Sequence, residues 1–385
     1  MRATFVREPQ TKAALAGFLQ RASRLSMGPV CRRFEKSFAG FQARREAALF
    51  NSGASANLAL LQALRNLGRL KAGDAIGFSA VTWSTNVMPI IQMGMIPVPI
   101  DCSPATLNVM SDNIRKRLRQ VRLKALFLTN ALGFTGDLPA IRSLARSHGL
   151  LLLEDNCESL GTILPEGRAG NFGLASTFSF FVGHHMSTIE GGMVCTDDAE
   201  LSEMLRIVRA NGWDRQLTPA QVRRRRREHH VDRFQAKYTF YDLAFNQRPT
   251  EITGFLGLQQ LRGLAARCLR RQANYLAVER IIRINPDFLP LERSHLKLLS
   301  SFCFPVLCRN SRLRGRYLAR LERAGVEVRP IIAGNIQRQP FYAKYVRARY
   351  PLPGADFIHD CGFYCGNYPD LRPNDIEAIR LCLTQ

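Results

Sequence analysis

Nothing in this sequence stays apolar long enough to cross a bilayer: its most apolar stretch, Val87 to Ile100, is broken by Pro89, Pro97, Pro99, Gly94 and Gln92. The N-terminal residues MRATFVREPQTKAALAGFLQRASR lack the apolar core of an export signal, so a cytoplasmic chain is expected, with no membrane partner. Metal-ligand spacing is missing as well. Cys361 and Cys365 stand apart from any clustered Cys or His, so no metal is expected. Without an export signal, the ten cysteines read as reduced, mostly buried thiols rather than a disulfide framework. There is no internal repeat, and no low-complexity segment beyond the arginine run at 223–227.

Acidic residues are scarce, 31 against 54 Lys plus Arg, which gives a formal charge of +23. Such a field draws anions, nucleotide diphosphates or nucleic acid among them, although arginines on solvated faces would produce the same count. Nucleic acid is disfavoured because the run Arg223 to Arg227, followed by Glu228, His229 and His230, has no interleaved aromatics and no recognisable binding module. The segment 219–235 is read as a solvated basic loop. Apolar residues at 46% and charged residues at 22% are ordinary for a globular chain, and 385 residues suit one large domain plus a smaller one.

Short apolar, β-branched runs recur at 47–50, 75–78, 97–100, 125–129, 150–153, 176–181 and 192–196, which predicts seven strands. Amphipathic stretches such as Ala56 to Leu67 and Leu138 to Ser147 alternate with them, the pattern of an α/β fold whose mainly parallel sheet lies between helices. The texture changes past the basic segment. Leu256 to Ile282 reads as one long helix, followed by strands at 301–307 and 326–330 around a helix at 312–324. The expected division is a large domain over 1–249, its N-terminal helical segment included, and a small α+β domain over 250–385.

Three places carry chemistry. Asn51-Ser52-Gly53-Ala54-Ser55-Ala56-Asn57 follows a strand and opens a helix, where backbone N–H groups and a hydroxyl can meet an anion, although Ser-Gly-x-Ser is also plain helix capping. Glu154-Asp155-Asn156-Cys157-Glu158 leaves a buried strand at its carboxyl end, where open α/β sheets place their ligands, and Asp155 is the first candidate there. His184 and His185 leave another strand ahead of a Glu-Gly-Gly turn, and imidazole titrates near neutrality as a general acid or base should.

The ordered series NSGASAN, AVTWSTN, LLLEDNCESLGT, STFSFFVGHHMSTIEGGMV, RANGWDR, FNQRPTEITGFLGLQQL and VRPIIAGN resembles the nucleotide-sugar aminotransferase (DegT-type) family of fold-type I PLP enzymes across nearly the whole chain. In that family a lysine that tethers the cofactor stands where this sequence has His184. The resemblance is closest to the branch in which a histidine takes that place, the GDP-4-keto-6-deoxymannose 3-dehydratases. Glu158, where the aminotransferases usually have Gln, points to the same branch. The related CDP-sugar branch holds an iron–sulfur cluster on cysteines after the GW motif, and this chain has no Cys between Gly212 and Gln247.

The resemblance implies that Asp155 pairs with the ring nitrogen of pyridoxal phosphate (PLP) and Trp83 stacks on the ring. Gly53, Ala54, Ser55 and Ser179 serve its phosphate; Ala54 replaces the hydroxyl residue usual in the family, with Ser55 as the compensating group. Asn246 reaches the phosphate in the neighbouring subunit of a homodimer. His184 is the implied base, and His185, one residue past the lysine position, is not. The implied activity is removal of the C3 hydroxyl of a 4-keto-6-deoxyhexose carried on a nucleotide diphosphate, in deoxysugar and lipopolysaccharide O-antigen synthesis. Glutamate converts the cofactor to its amine form, PMP. Arg248 and Arg329 are candidates for the substrate diphosphate. A sugar aminotransferase with a substitute base, and a non-catalytic relative that binds the nucleotide sugar, are the alternatives.

Overall fold

The computed structural model describes residues 4–384. Every predicted strand of the main sheet is present: β1 (Glu46–Phe50), β2 (Ala75–Ser79), β3 (Ile96–Ile100), β4 (Ala125–Thr129) and β5 (Leu151–Asp155) come first. A small hairpin, β6 (Ile163–Leu164) and β7 (Gly167–Arg168), precedes β8 (Ala175–Ser179) and β9 (Gly192–Thr196). The seven-stranded sheet has the order β1-β9-β8-β5-β4-β2-β3. The strands β10 (Cys303–Leu307), β11 (Val328–Arg329) and β12 (Gly362–Gly366) form a separate sheet in the order β10-β12-β11.

By packing, the chain divides into two compact units, each made of two stretches: residues up to Gly73 with Leu174–Arg262, and Asp74–Gly173 with Gly263–Gln385. This partition differs from the contiguous division at 249/250 read from sequence texture. The helix Glu251–Leu261 packs on the helices Glu8–Arg21 and Pro29–Gln42, and so goes with the first unit.

In the second unit β2, β3, β4 and β5 all run parallel, with Thr129 beside Asp155. β3 carries Pro97 and Pro99 and sits at the sheet edge, the position where a missing ladder N–H costs least. In the first unit β9 runs antiparallel to both β1 and β8. Its core is aromatic: the Phe38 ring lies 5.2 Å from those of Phe178 and Phe180. Gly257 meets the Phe34 ring so closely that an added Cβ would lie 2.3 Å from it. The Arg209 guanidinium is buried here with the Glu35 carboxylate at 2.5 Å, and both groups also bond the Leu49 backbone.

Two expectations are corrected. The long helix expected over 256–282 is two helices, Glu251–Leu261 and Leu264–Ile284, because Gly263 adopts a left-handed φ of 71° that ends the first. The basic segment 219–235 is not a loop throughout: Pro219–Glu228 is a helix. Thr218 and Gln221 form a capping box around Pro219, and the helix is tied down as Arg224 and Arg225 pair with Glu203 and Arg226 with Asp214. All ten cysteines are free thiols, eight of them buried. Among the described residues no helix is long and apolar enough to cross a membrane, and no Cys, His, Asp and Glu cluster could hold a metal.

Removing one partner of a buried ion pair strands the other charge, so Arg209→Ala should cost ~3–5 kcal/mol in urea unfolding. The double variant Glu35→Leu/Arg209→Met should lose less, and a single variant as stable as wild type would contradict this account of the pair.

Candidate active site

In the second unit the end of β5 sorts two adjacent carboxylates by strand alternation. Glu154 faces inward: its Oε1 accepts the N–H groups of Phe172 and Gly173 at 2.7 and 2.9 Å, and its Oε2 accepts from Gly170 N–H at 2.8 Å and Asn130 Nδ2 at 3.1 Å. Asp155 faces the opposite way. Its Oδ2 accepts from Asn86 Nδ2 at 2.7 Å, and its Oδ1 from Cys157 N–H at 2.9 Å. Glu154 is therefore a structural carboxylate, and Asp155 is the buried acid oriented by an amide.

Glu158 follows one turn later, its Oε2 accepting from Leu132 N–H at 3.0 Å, where Leu132 is held at a left-handed φ of 53°. Burial pushes its carboxyl up to about 8, and the charge of Asp155 adds to the push. Tyr364 feels the charges of both Glu158 and Arg329, and burial raises its phenol. Arg329 lies opposite Tyr364 in the β11–β12 pair, exposed and paired with Glu327 at 2.5 Å. The predicted anion ligand thus already has a carboxylate partner on the surface.

Trp83 is 56% exposed, a large indole face on a well-anchored backbone. The preceding Thr82 hydroxyl is buried against Thr129 Oγ1 at 2.6 Å. Val81 bridges to Asn335, and Ile336 N–H donates to Ala80 O at 2.9 Å, which brings the VRPIIAGN and AVTWSTN segments side by side.

In the first unit Ser52 caps the helix Gly53–Asn66: its Oγ accepts from Ser55 N–H at 3.0 Å and donates to Ser55 Oγ at 3.0 Å. Capping and anion binding both operate through this turn, and Ser55 is engaged in the cap. Ala54 is exposed beside it. A Cβ on Gly53 would lie 2.7 Å from Ser179 Cβ, and one on Gly192 2.1 Å from Ser52 O, so only glycine lets the helix start, Ser179 and the β9 start meet. The loop after β8 closes on itself through Phe180 N–H to Gly191 O at 2.8 Å and Thr188 N–H to Phe180 O at 2.9 Å. Within it His184 is half-buried with its ring edge-on to Phe181 at 5.8 Å, whereas His185 is buried at 2% exposure. The two neighbours are thereby separated, and the more accessible imidazole is His184.

Asn246 and Arg248 are exposed, with Arg248 Nε donating to Asn246 Oδ1 at 3.1 Å. Between them Gln247 O accepts Asn51 N–H at 3.1 Å, tying this segment to the residue just before the Ser52 cap. Sequence reasoning missed Asn86 and Tyr364. Asn86 stands two residues beyond the serine of the AVTWSTN motif and was open to discovery there. Tyr364 carries no local signal, because only strand pairing sets it opposite Arg329. Each unit carries groups that fit a phosphorylated pyridine cofactor: in the second a buried carboxylate suits a protonated ring nitrogen and an exposed indole suits a ring face, and in the first a helix N-terminus with a glycine cradle suits a phosphate.

Residues 8–384 match the sequence profile of the DegT/DnrJ/EryC1/StrS aminotransferase family. The chain is 31% identical over 351 residues to the GDP-4-keto-6-deoxy-D-mannose 3-dehydratase of Yersinia pseudotuberculosis, covering 89% of this chain and 88% of that protein. Its structure is similar to that of a GDP-4-keto-6-deoxymannose-3-dehydratase with a trapped PLP–glutamate geminal diamine, with a TM-score of 0.88 at 28% identity and 97% of each chain covered. It is also similar to PseC of Helicobacter pylori, an aminotransferase of pseudoaminic acid biosynthesis, with a TM-score of 0.84 at 25% identity over 97% of this chain and 95% of that one.

The raised carboxyl makes a pH prediction. Unfolded, Glu158 ionises near its ordinary 4.5, while the native carboxyl keeps its proton to about 8. Between these values the native state binds more protons, so this group makes stability fall as pH rises. Glu158→Gln removes that slope: its urea midpoint should gain more over wild type at pH 8 than at pH 5, and an equal difference at both would show the carboxyl to be ordinary.

Proposed function

This chain belongs to the DegT/DnrJ/EryC1/StrS aminotransferase family, and from that premise we propose that it is a PLP/PMP-dependent 3-dehydratase of a nucleotide-linked 4-keto-6-deoxyhexose. GDP-4-keto-6-deoxymannose is the first substrate to test, as the sugar named for the Yersinia relative. One observation carries the reading. The loop after β8 offers His184 and no amine, and no lysine occurs anywhere between Lys124 and Lys237. Imidazole can move protons but cannot tether an aldehyde as a primary amine does, which separates proton-transfer chemistry from the ordinary transaminase cycle.

When bound, the cofactor supplies an electron sink and, in its amine form, the nitrogen that engages the sugar's C4 ketone. The protein's residues do the rest. Asp155, oriented by Asn86, keeps the ring nitrogen protonated. Trp83 covers a ring face, and the turn Ser52–Gly53–Ala54–Ser55 with Ser179 holds the phosphate. His184 takes a proton at the cofactor's C4′ and returns one to the departing C3 hydroxyl, so that water leaves. Glu158, its carboxyl pushed up to about 8 by burial, offers a neutral hydrogen-bond donor at neutral pH. Glutamate would be the amino donor, Arg248 and Arg329 would add positive charge near the diphosphate, and the exposed Asn246 would reach the partner's phosphate in a homodimer. Residues 250–385 act as the small domain of the fold. These roles and the dimer are proposals, supported by the donor chemistry and by the family's members.

The purified chain, incubated with PLP, glutamate and GDP-4-keto-6-deoxymannose, should yield a sugar that has lost one oxygen and kept its ketone by mass spectrometry. Replacement of the ketone by an amine would make the chain an aminotransferase instead, and no change with any nucleotide sugar would favour a non-catalytic binder. His184→Asn should keep the cofactor's absorbance and lose elimination by ~10²–10⁴-fold, the usual contribution of a positioned acid–base. A variant that eliminates water at the wild-type rate would remove His184 from the mechanism.

A further inference from the structure

The densest exposed apolar surface of the first unit lies between residues 234 and 243, where Phe234 and Tyr238 are each 72% exposed, Phe240 58% and Leu243 73%. It does not stand alone. Beside it an open cleft of about 450 Å³ is lined by Arg215, Arg226, Arg233 and Lys237 together with Asp214, Val222 and Ala236. Cations and rings interleave there in space, although not along the arginine run itself. Arg215 lies 4.0 Å over the Trp213 ring and 5.6 Å from Tyr238, Lys237 lies 5.1 Å over Phe234, and Trp213 stacks on Phe240 at 5.7 Å.

The nearby carboxylates are already occupied. Asp214 accepts from Arg226 Nε at 3.0 Å and Tyr241 OH at 3.2 Å, and Asp232 accepts the N–H groups of Phe234 and Gln235 at 2.7 and 2.9 Å. Among the described residues Arg215, Arg233 and Lys237 form no ion pair with a carboxylate. A surface of exposed ring faces and unneutralised cations suits a ligand that is both flat and polyanionic.

We propose that this cleft binds the nucleoside diphosphate part of the substrate, with the base against Phe234 or Tyr238 and the phosphates on Arg233 and Lys237. The inference rests on the reading of the chain as a nucleotide-sugar enzyme and deepens it by naming residues that recognise the nucleotide. Arg248 lies 5.9 Å from the Trp213 ring on which Arg215 rests.

The test is calorimetric titration of the full-length protein with GDP, without cofactor or sugar. Arg233→Glu/Lys237→Glu should weaken GDP at least tenfold while leaving circular dichroism and the absorbance of added PLP unchanged. Phe234→Ala/Tyr238→Ala should weaken GDP but not inorganic pyrophosphate. Unaltered GDP affinity in both variants overturns the proposal. So does tighter binding of a single-stranded oligonucleotide that grows with its length, which would make the patch a nucleic-acid surface. GDP binding at this cleft without turnover of any sugar would sink the dehydratase reading alone, whereas elimination with GDP affinity indifferent to both variants would sink only the cleft.

Discussion

The end of β5 is where the chemistry and the fold depend on one another. Two carboxylates in sequence at a buried strand end would repel each other and lose hydration unless each had its own donors. Alternation of side chains solves this by sending Glu154 into backbone N–H groups from residues 170–173 and Asp155 toward Asn86. The Glu154 anchor fixes the turn at residues 170–173. Asp155 inherits a fixed direction. The Asp155 carboxylate is rigid here because its neighbour is immobilised.

The same device recurs. Glu251 accepts the N–H groups of Gly28, Val30 and Cys31 at 2.9 Å and so caps the helix Pro29–Gln42, while Glu35 receives Leu49 N–H and the Arg209 guanidinium. In a chain short of acidic residues, several of them are thus spent on backbone amides and buried arginines. The consequence is a surface with uncompensated cations, among them Arg233 and Lys237. That surplus gives the protein an attractive field for phosphorylated ligands, and its rate of capture should weaken as salt rises.

Much of the fold was legible along the chain. The strands 125–129 and 192–196 and the helix Leu138–Ser147 fall where periodicity put them, because a buried strand or an amphipathic helix records its environment in its own residues. The breaks were harder to read. Gly263 ends a helix inside an apolar pattern that continues across it, and the arginine-rich helix Pro219–Glu228 is held by Glu203 and Asp214, which no local pattern connects to it. Packing neighbours are hidden for a related reason: the helix Glu251–Leu261 lies on the helices Glu8–Arg21 and Pro29–Gln42, which its composition does not name.

The candidate site divides along the same line. Sequence by itself determined the chemical identities: the motif order, a histidine where relatives have lysine, the acid at a strand end, and small residues at a helix start. Residue type and spacing are enough to state those. Tertiary structure decided what each group can do. It buried His185 and left His184 accessible, turned Glu154 into an anchor and Asp155 into an oriented acid, and kept the proton on Glu158. It also set the rings of Trp213 and Tyr238 beside Arg215 and that of Phe234 beside Lys237. Exposure, protonation and convergence depend on distances between groups far apart in the chain, and those distances exist only once the backbone has closed.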